Sequence, residues 1–392
     1  MKQCLVDEQN GFRKYRACID HIHSVSTIIR ARIATGKPTF SCFVDFQKAF
    51  DWINRDLLAL KLMEVGVDGR FYKAIQSLYG SPVACVKIND MYTDWFETPF
   101  GVKQGDILSP TLFALFVNDL ALQIKKNNLG VCLDDTYLGI LLYADDIILL
   151  AESESDLQNM LNLVSSWCHK WRLVINKSKT QIMHFRNKGM ERSKQTFYFD
   201  SVPLEYVSSY KYLGFLLDDF MTFETGFRCL ADSAGRALGS VINKMKVCND
   251  SGYFTYTQLY NACVSPILNY AAGVWGFKES KVIDTIQNRA IRYFLGVHKF
   301  APVPAIEGDM GWIPGCVQRK CEMIRLWNRL NKMAEDRINK KVFIWSKLHS
   351  SPWSKEMYSI FEEVDMVYIY RNNLCCSVNF IKDKLLLKFE EK

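Results

Sequence analysis

Paired cysteine motifs, long apolar runs and repeats are all missing from this 392-residue chain, and each absence closes off a class of protein. Thirteen cysteines are present, yet no Cys-x-x-Cys pair occurs, and neither Cys316 nor Cys321 has histidine partners at finger-like spacing. The odd count, and the apolar surroundings of Cys42, Cys85, Cys168 and Cys263, point to reduced, buried thiols in an intracellular protein, away from a disulfide framework or zinc site. No uninterrupted apolar run approaches the roughly 18 residues of a membrane helix. The N-terminus, Met-Lys-Gln-Cys-Leu-Val-Asp-Glu, lacks the apolar core of a secretory signal. A soluble protein without a membrane partner is expected. Internal repeats and low-complexity stretches are absent as well.

What is there suits a globular chain: 49% of residues are hydrophobic and 23% charged. The length allows two or three domains with substantial cores. A net charge of +7 is modest, but it is unevenly placed. Between residues 170 and 194, eight Lys/Arg (170, 172, 177, 179, 186, 188, 192 and 194) face one acid, Glu191. Such a window suits a polyanion such as a nucleic-acid backbone, with a solvated basic loop as the plain alternative.

Along the chain, residues 40–46 read as a strand ending near Asp45. Helices follow over about 54–65, stopped at Gly66, and about 68–79, with Phe71, Ile75 and Leu78 at helical spacing and a stop at Gly80. Residues 83–89 and 92–97 form a hairpin around Asn89-Asp90. Ser109-Pro110 reads as a cap and a first-turn proline opening an apolar helix to about Lys125. A hairpin spans 141–151. Ser153 then caps a helix that carries Leu157, Met160, Leu161, Val164 and Trp167 on one face. Short strands are expected near 181–185, 196–199 and 211–217, and mostly helix from about residue 225. This order predicts an α+β unit followed by a helical appendage.

Two adjacent carboxylates, Asp145 and Asp146, interrupt the apolar run of residues 141–150. Buried carboxylates are costly unless paired, and a divalent cation would supply the pairing. An exposed, inert Asp-Asp turn is the alternative reading. Nucleotidyl transfer needs two such cations about 4 Å apart, held by acidic oxygens from different strands. Asp45, at the end of one strand, with Asp145 and Asp146 in a hairpin turn, offers such a set.

The wording around these acids resembles the reverse transcriptases. Phe43-Val44-Asp45-Phe46-Gln47-Lys48-Ala49-Phe50-Asp51 is similar to their motif A, Gly101-Val102-Lys103-Gln104-Gly105-Asp106-Ile107-Leu108-Ser109-Pro110 to motif B, and Tyr143-Ala144-Asp145-Asp146 to motif C. Order and spacing resemble the enzymes of non-LTR (LINE-type) retrotransposons most closely. Gln9-Asn10-Gly11-Phe12-Arg13 with Asp20-His21-Ile22 resembles their fingers segment, Asn176-Lys177-Ser178-Lys179-Thr180 their motif D, and Tyr212-Leu213-Gly214 their primer-grip motif E. The resemblance covers about residues 9–217 and continues on weaker wording to about 320.

The resemblance implies a right-hand polymerase fold. Residues 1–217 would form fingers (about 1–39 and 66–105) and a palm with an antiparallel sheet (about 40–65 and 106–217). A helical thumb-like region would follow over 218–300, and a helical C-terminal region over 301–392. It implies an RNA-directed DNA polymerase serving retrotransposition, with an RNA template, a DNA primer, deoxynucleoside triphosphates and two Mg²⁺ ions, Mn²⁺ being an alternative. Asp45 and Asp145 would bridge the metals with Asp146 assisting, and the Phe46 carbonyl would add a backbone ligand. Phe50, five residues after Asp45, falls at the sugar gate, where a ring under the ribose would clash with a 2′-hydroxyl; plain core packing is its alternative. Gln104 and Gly105 would lie near the incoming nucleotide and template base, Gly105 allowing close backbone approach. Lys179, or its neighbour Lys177, would protonate the leaving pyrophosphate. Arg13 and Arg16 would meet the triphosphate, or serve as ordinary basic loop residues. Trp275, Tyr293, Trp312, Trp327 and Trp345 are assigned no site, since aromatics at helical spacing usually belong to the core. An intracellular ribonucleoprotein, nuclear or cytoplasmic, is the expected setting.

The family's earlier fingers strands, an endonuclease region and a cysteine–histidine zinc knuckle find no counterpart in this sequence, as in a partial or decayed element copy. A catalytically inactive remnant that binds nucleic acid is therefore a second expectation. An RNA-dependent RNA polymerase shares the palm acids, but Phe50 argues against it. Group II intron-type enzymes share the same palm.

Overall fold

A computed structural model of the chain describes residues 5–80, 82–248 and 252–391. Met1 to Cys4, with the start of the N-terminal stretch read above, lie outside the described residues. The chain forms two compact units. One comprises Met1–Cys18 with Lys37–Ser208, the other Ile19–Gly36 with Ser209–Lys392.

The first unit is built on a five-stranded sheet. Its spatial order is Glu205–Tyr206, Gln181–Phe185, Thr39–Val44, Asp146–Ala151 and Ile140–Tyr143. The central strand, Thr-Phe-Ser-Cys-Phe-Val, is buried at all six positions, as a near-continuous apolar run demands when both faces are covered. It pairs antiparallel with both neighbours, and only the edge strand Glu205–Tyr206 runs parallel to its partner. Helices Ser109–Lys126 and Glu154–Trp171 pack against the sheet. In the second of these, Leu157, Met160, Leu161, Val164 and Trp167 are buried as their spacing predicts, and Ser153 caps it by accepting from the Asp156 amide. The α+β class thus holds.

Several local expectations are corrected. Ser109 is not the cap of its helix: Leu108 occupies that position and Ser109 lies within the helix, its hydroxyl donating to the Lys103 carbonyl at 2.6 Å. In helix Gly69–Tyr79, Ile75 and Tyr79 are buried while Phe71 and Leu78 are exposed, so the inward stripe lies to one side of the expected one. Residues 211–217 are not one strand but a hairpin, Ser209–Tyr212 with Phe215–Asp218, turning at Leu213-Gly214 with positive φ at both. Cysteines among the described residues are all free; Cys42 and Cys168 are buried as expected, whereas Cys85 is half-buried and Cys263 exposed.

Two charged side chains of the first unit, Glu8 and Lys61, are 3% exposed, and Lys61 lies among aromatic rings. Lys61, from helix Arg55–Glu64, donates to the Phe116 carbonyl and the Asp119 carboxylate. It also sits over the faces of Trp171 (3.8 Å) and Trp167 (4.8 Å), where the ring quadrupole attracts a cation. Burial still pulls its pKa down to about 8, against the pull of Asp119.

The second unit is helical apart from the 209–218 hairpin. Helix Cys18–Ala34, from Ile19 on, belongs to it by a contact some three hundred residues distant in sequence. Asp20, fully buried, receives Arg329 Nε at 2.6 Å and Nη2 at 2.9 Å, while Asn339 donates to the Asp20 carbonyl and to Ser24 Oγ. Trp275, Trp327 and Trp353 are buried in this unit, and Trp312 stacks on Tyr260 with ring centroids 4.1 Å apart, so these aromatics are core. Among the described residues no helix is long and apolar enough to cross a membrane.

Removing Arg329 leaves fully buried Asp20 with a more distant partner, Arg337 Nη2 at 3.5 Å. Arg329→Met is expected to lower the unfolding free energy by about 2 kcal/mol, read as a reduced urea midpoint. A midpoint within error of wild type would show that Asp20 is not held by this pair.

Candidate active site

Register alone assembles the acids. The central strand ends with Val44 opposite Ile147. Across the hairpin Tyr143 pairs with Asp146, leaving Ala144 and Asp145 as its tip. Asp45 follows Val44 at this same end of the sheet, and its charge acts on both Asp145 and Asp146. Ala144 stands at φ +58°, a left-handed conformation that a residue with a Cβ rarely adopts and that persists only where the surroundings impose it.

Asp45 is half-buried; Asp145 and Asp146 reach solvent at the tip. Even so, the protein around the tip strips hydration from both. Partial desolvation pushes Asp146 up to about 6, with the like charges of Asp145 and Asp45 adding to it. Asp145 is raised chiefly by the same desolvation, with Asp45 contributing. Among the described residues no three His, Cys, Asp or Glu side chains already stand in a metal cage. The donor set nevertheless fits a hard divalent cation: three carboxylates on two strands repel one another, and such a cation relieves that repulsion with oxygen ligands.

Three neighbouring segments hold this end of the sheet. Residues 174–180 run beside Asp45: the Asn176 amide donates to the Asp45 carbonyl (2.7 Å), the Gln47 amide to Val174 (2.8 Å), and the Asp45 amide to Thr180 Oγ1 (3.2 Å). Residues 8–11 lie along strand Ile140–Tyr143. There the Asn10 amide donates to Leu142 and the Leu142 amide to Glu8, each at 2.9 Å. Buried Gln9 accepts from the Ala144 amide (3.1 Å) and the Gly11 amide (2.8 Å) through one oxygen. A Cβ on Gly11 would stand 2.3 Å from the Ala144 nitrogen, so only glycine permits this approach. Gly101 does the same for residues 50–51: at φ +83°, its Cβ would meet the Asp51 carbonyl oxygen at 2.7 Å.

The other expected site residues fall around this framework. Phe46 is buried, its ring centroid 6.3 Å from that of Trp167, and its main chain bridges to Ile175. Phe50 stacks on buried Phe113 (4.6 Å) and meets the edge of Phe12 (6.5 Å). Phe12 is two-thirds exposed at φ +56°. Gln104 is exposed and donates to Asp51 Oδ1 at 2.9 Å; Gly105 turns in open space. Lys179 is exposed, one residue before Thr180, with Lys177 exposed in the same turn. Arg13 Nη1 donates to the Val6 and Gln9 carbonyls, and Arg16 engages Asp7 and Asn10, so both guanidinium groups brace residues 6–10. Gln9, Gly11, Gly101 and Thr180 lie inside the segments that carry the resemblance, but none of them has an individual role legible in the sequence.

The profile of the family described as reverse transcriptase (RNA-dependent DNA polymerase) matches residues 1–217. A probable RNA-directed DNA polymerase from transposon BS of Drosophila melanogaster is 26% identical over 300 residues, covering 74% of this chain and 33% of that protein. The RNA-directed DNA polymerase from mobile element jockey of Drosophila funebris is 26% identical over 311 residues, covering 77% and 33%. The chain thus spans about a third of the length of these curated relatives. A solved apo telomerase from Candida tropicalis aligns with 87% of this chain and 59% of its own, at 10% identity and a TM-score of 0.43, too loosely to bear on function.

Because desolvation and like charges push Asp146 up to about 6 in the fold, from the 3.8 of a free carboxyl, the folded chain holds a proton in that window that the unfolded chain has released. Its contribution to stability therefore falls as pH rises through this window. Without divalent cations, Asp146→Asn is expected to melt above wild type at about pH 7.5, with the gap closing near pH 4. A gap that does not change with pH would contradict the crowded-carboxylate reading.

Proposed function

The chain belongs to the reverse transcriptase (RNA-dependent DNA polymerase) family, and from that membership we propose that it is an RNA-directed DNA polymerase of the non-LTR retrotransposon type. It adds deoxynucleotides to a DNA primer on an RNA template. The primer 3′-oxygen bonds to the α-phosphorus of the incoming triphosphate, the bond to pyrophosphate breaks, and the hydroxyl proton is lost. The observation that carries this reading is the convergence of Asp45 with Asp145 and Asp146 at one end of the sheet, within a match that covers residues 1–217.

Asp45 and Asp145, with Asp146 assisting and the Phe46 carbonyl as a backbone ligand, would hold two divalent cations, Mg²⁺ or in its place Mn²⁺. Those ions would supply activation of the primer hydroxyl and neutralisation of the triphosphate. Lys179, or Lys177 in the same turn, gives its proton to the departing pyrophosphate. Phe50, stacked flat on Phe113, presents a fixed ring against a 2′-hydroxyl, and this supports deoxynucleotide over ribonucleotide use. Gln104 and Gly105 lie by the nucleotide and template base. Arg13 and Arg16 reach a triphosphate only by leaving their partners in residues 6–10. Lys170, Arg172, Lys177, Lys179, Lys188, Arg192 and Lys194 are all exposed, which supports contact with template and primer phosphates. Free cysteines support a reducing compartment inside the cell, nuclear or cytoplasmic, where the protein works as a ribonucleoprotein.

Purified chain is expected to extend a DNA primer on an RNA template with dNTPs and Mg²⁺ or Mn²⁺, and Asp145→Ala to lose about 10³-fold or more in kcat. Equal extension by the variant would end the proposal. Salt-sensitive RNA binding with no extension by wild type would favour the binding-remnant reading instead. Phe50→Ala is expected to raise rNTP use relative to dNTP by about tenfold or more, as removing a steric barrier to one hydroxyl should. An unchanged ratio would return Phe50 to the core.

A further inference from the structure

Gln9 is 0% exposed, and its side-chain oxygen receives two backbone donors from segments far apart in sequence: the Gly11 amide at 2.8 Å and the Ala144 amide at 3.1 Å. Two N–H groups aimed at one atom fix which end of the amide is oxygen, so the group cannot be flipped. Its nitrogen is then turned away and has no hydrogen-bond partner among the described residues. A buried donor left unmet is unfavourable, and a residue that brings one must be selected for what its oxygen does.

That oxygen holds the amide of Ala144, the left-handed residue directly before Asp145. The segment itself is seated by main-chain bonds to Leu142 and by the close approach of Gly11 to Ala144. We infer that Gln9 is a positioning residue: through the Ala144 amide it holds the hairpin tip in the conformation that aims Asp145 and Asp146 at a shared cation. The inference rests on the cation-binding part of the proposed function. The choice of glutamine follows from its neighbours. Methionine would leave two amides without an acceptor. Glutamate would keep the acceptor but place another negative charge beside two carboxylates.

Mn²⁺ binding to the purified chain, followed by titration calorimetry with Asp145→Ala as background, tests this apart from catalysis. Gln9→Met is expected to bind Mn²⁺ about tenfold more weakly, the loss usual when a group that orients metal ligands is removed. The kcat of primer extension should fall by a similar factor with the KM for dNTP unchanged. Gln9→Glu, which keeps the acceptor oxygen, should bring Mn²⁺ affinity back toward wild type. Where Gln9→Met does not fold, Gln9→Asn takes its place, its oxygen drawn back from Ala144, with the same expectation. Wild-type Mn²⁺ affinity in Gln9→Met or Gln9→Asn, or a Gln9→Glu no better than either, overturns the inference. A wild type that binds Mn²⁺ at the turn, is weakened by loss of the Gln9 oxygen, and extends no primer upholds the inference and overturns the polymerase reading.

Discussion

Antiparallel register between Thr39–Val44 and Asp146–Ala151 commits three carboxylates to one end of a largely buried pair of strands. Once Val44 faces Ile147, Asp45 and the hairpin tip share that end, and the charge of Asp45 acts on both tip carboxylates. Partial desolvation raises Asp145 and Asp146, and mutual repulsion adds to the effect. Like charges crowded at a partly desolvated tip are the arrangement that a hard cation with oxygen ligands would relieve.

Such a tip needs support from outside the hairpin. Ala144 adopts a backbone conformation that its own side chain disfavours, and residues 8–11 hold it there by main-chain pairing, one glutamine oxygen and a glycine that permits contact. Asp45 is supported differently. Its peptide groups are paired with Asn176 and Thr180, which ties residues 176–180 to the carboxylate they follow by more than a hundred positions. Gly101 packs against the main chain of residues 50–51, so the segment that carries Gln104 begins in direct contact with the one that carries Phe50. Motifs distant in the chain are thus joined mainly through backbone atoms.

This explains which features were legible. Helices with a strong apolar stripe and a side-chain cap, such as Glu154–Trp171 after Ser153, follow from local spacing. The acids stood out because carboxylates in an apolar strand require a partner. Helix Gly69–Tyr79 was placed correctly but its buried face was not, since Phe71 and Leu78 fit a helical stripe as well as Ile75 and Tyr79 do. Ser109 looked like a cap because serine before proline usually is one, yet its hydroxyl is taken by the Lys103 carbonyl. The Asp20–Arg329 pair and buried Lys61 left no trace in the sequence, because a charge in a helix reads as solvated until the partner that covers it is known.

The α+β class, the order of most elements, and the acids Asp45, Asp145 and Asp146 as a candidate centre are readable in the unfolded chain. Periodicity, capping and the rarity of carboxylates in apolar strands are local properties. The contacts that Gln9, Gly11, Gly101 and Thr180 make around that centre, and the pairing of Asp20 with Arg329, exist only once the chain has folded. Those roles arise where two stretches of backbone meet, and nothing in either stretch alone specifies the other.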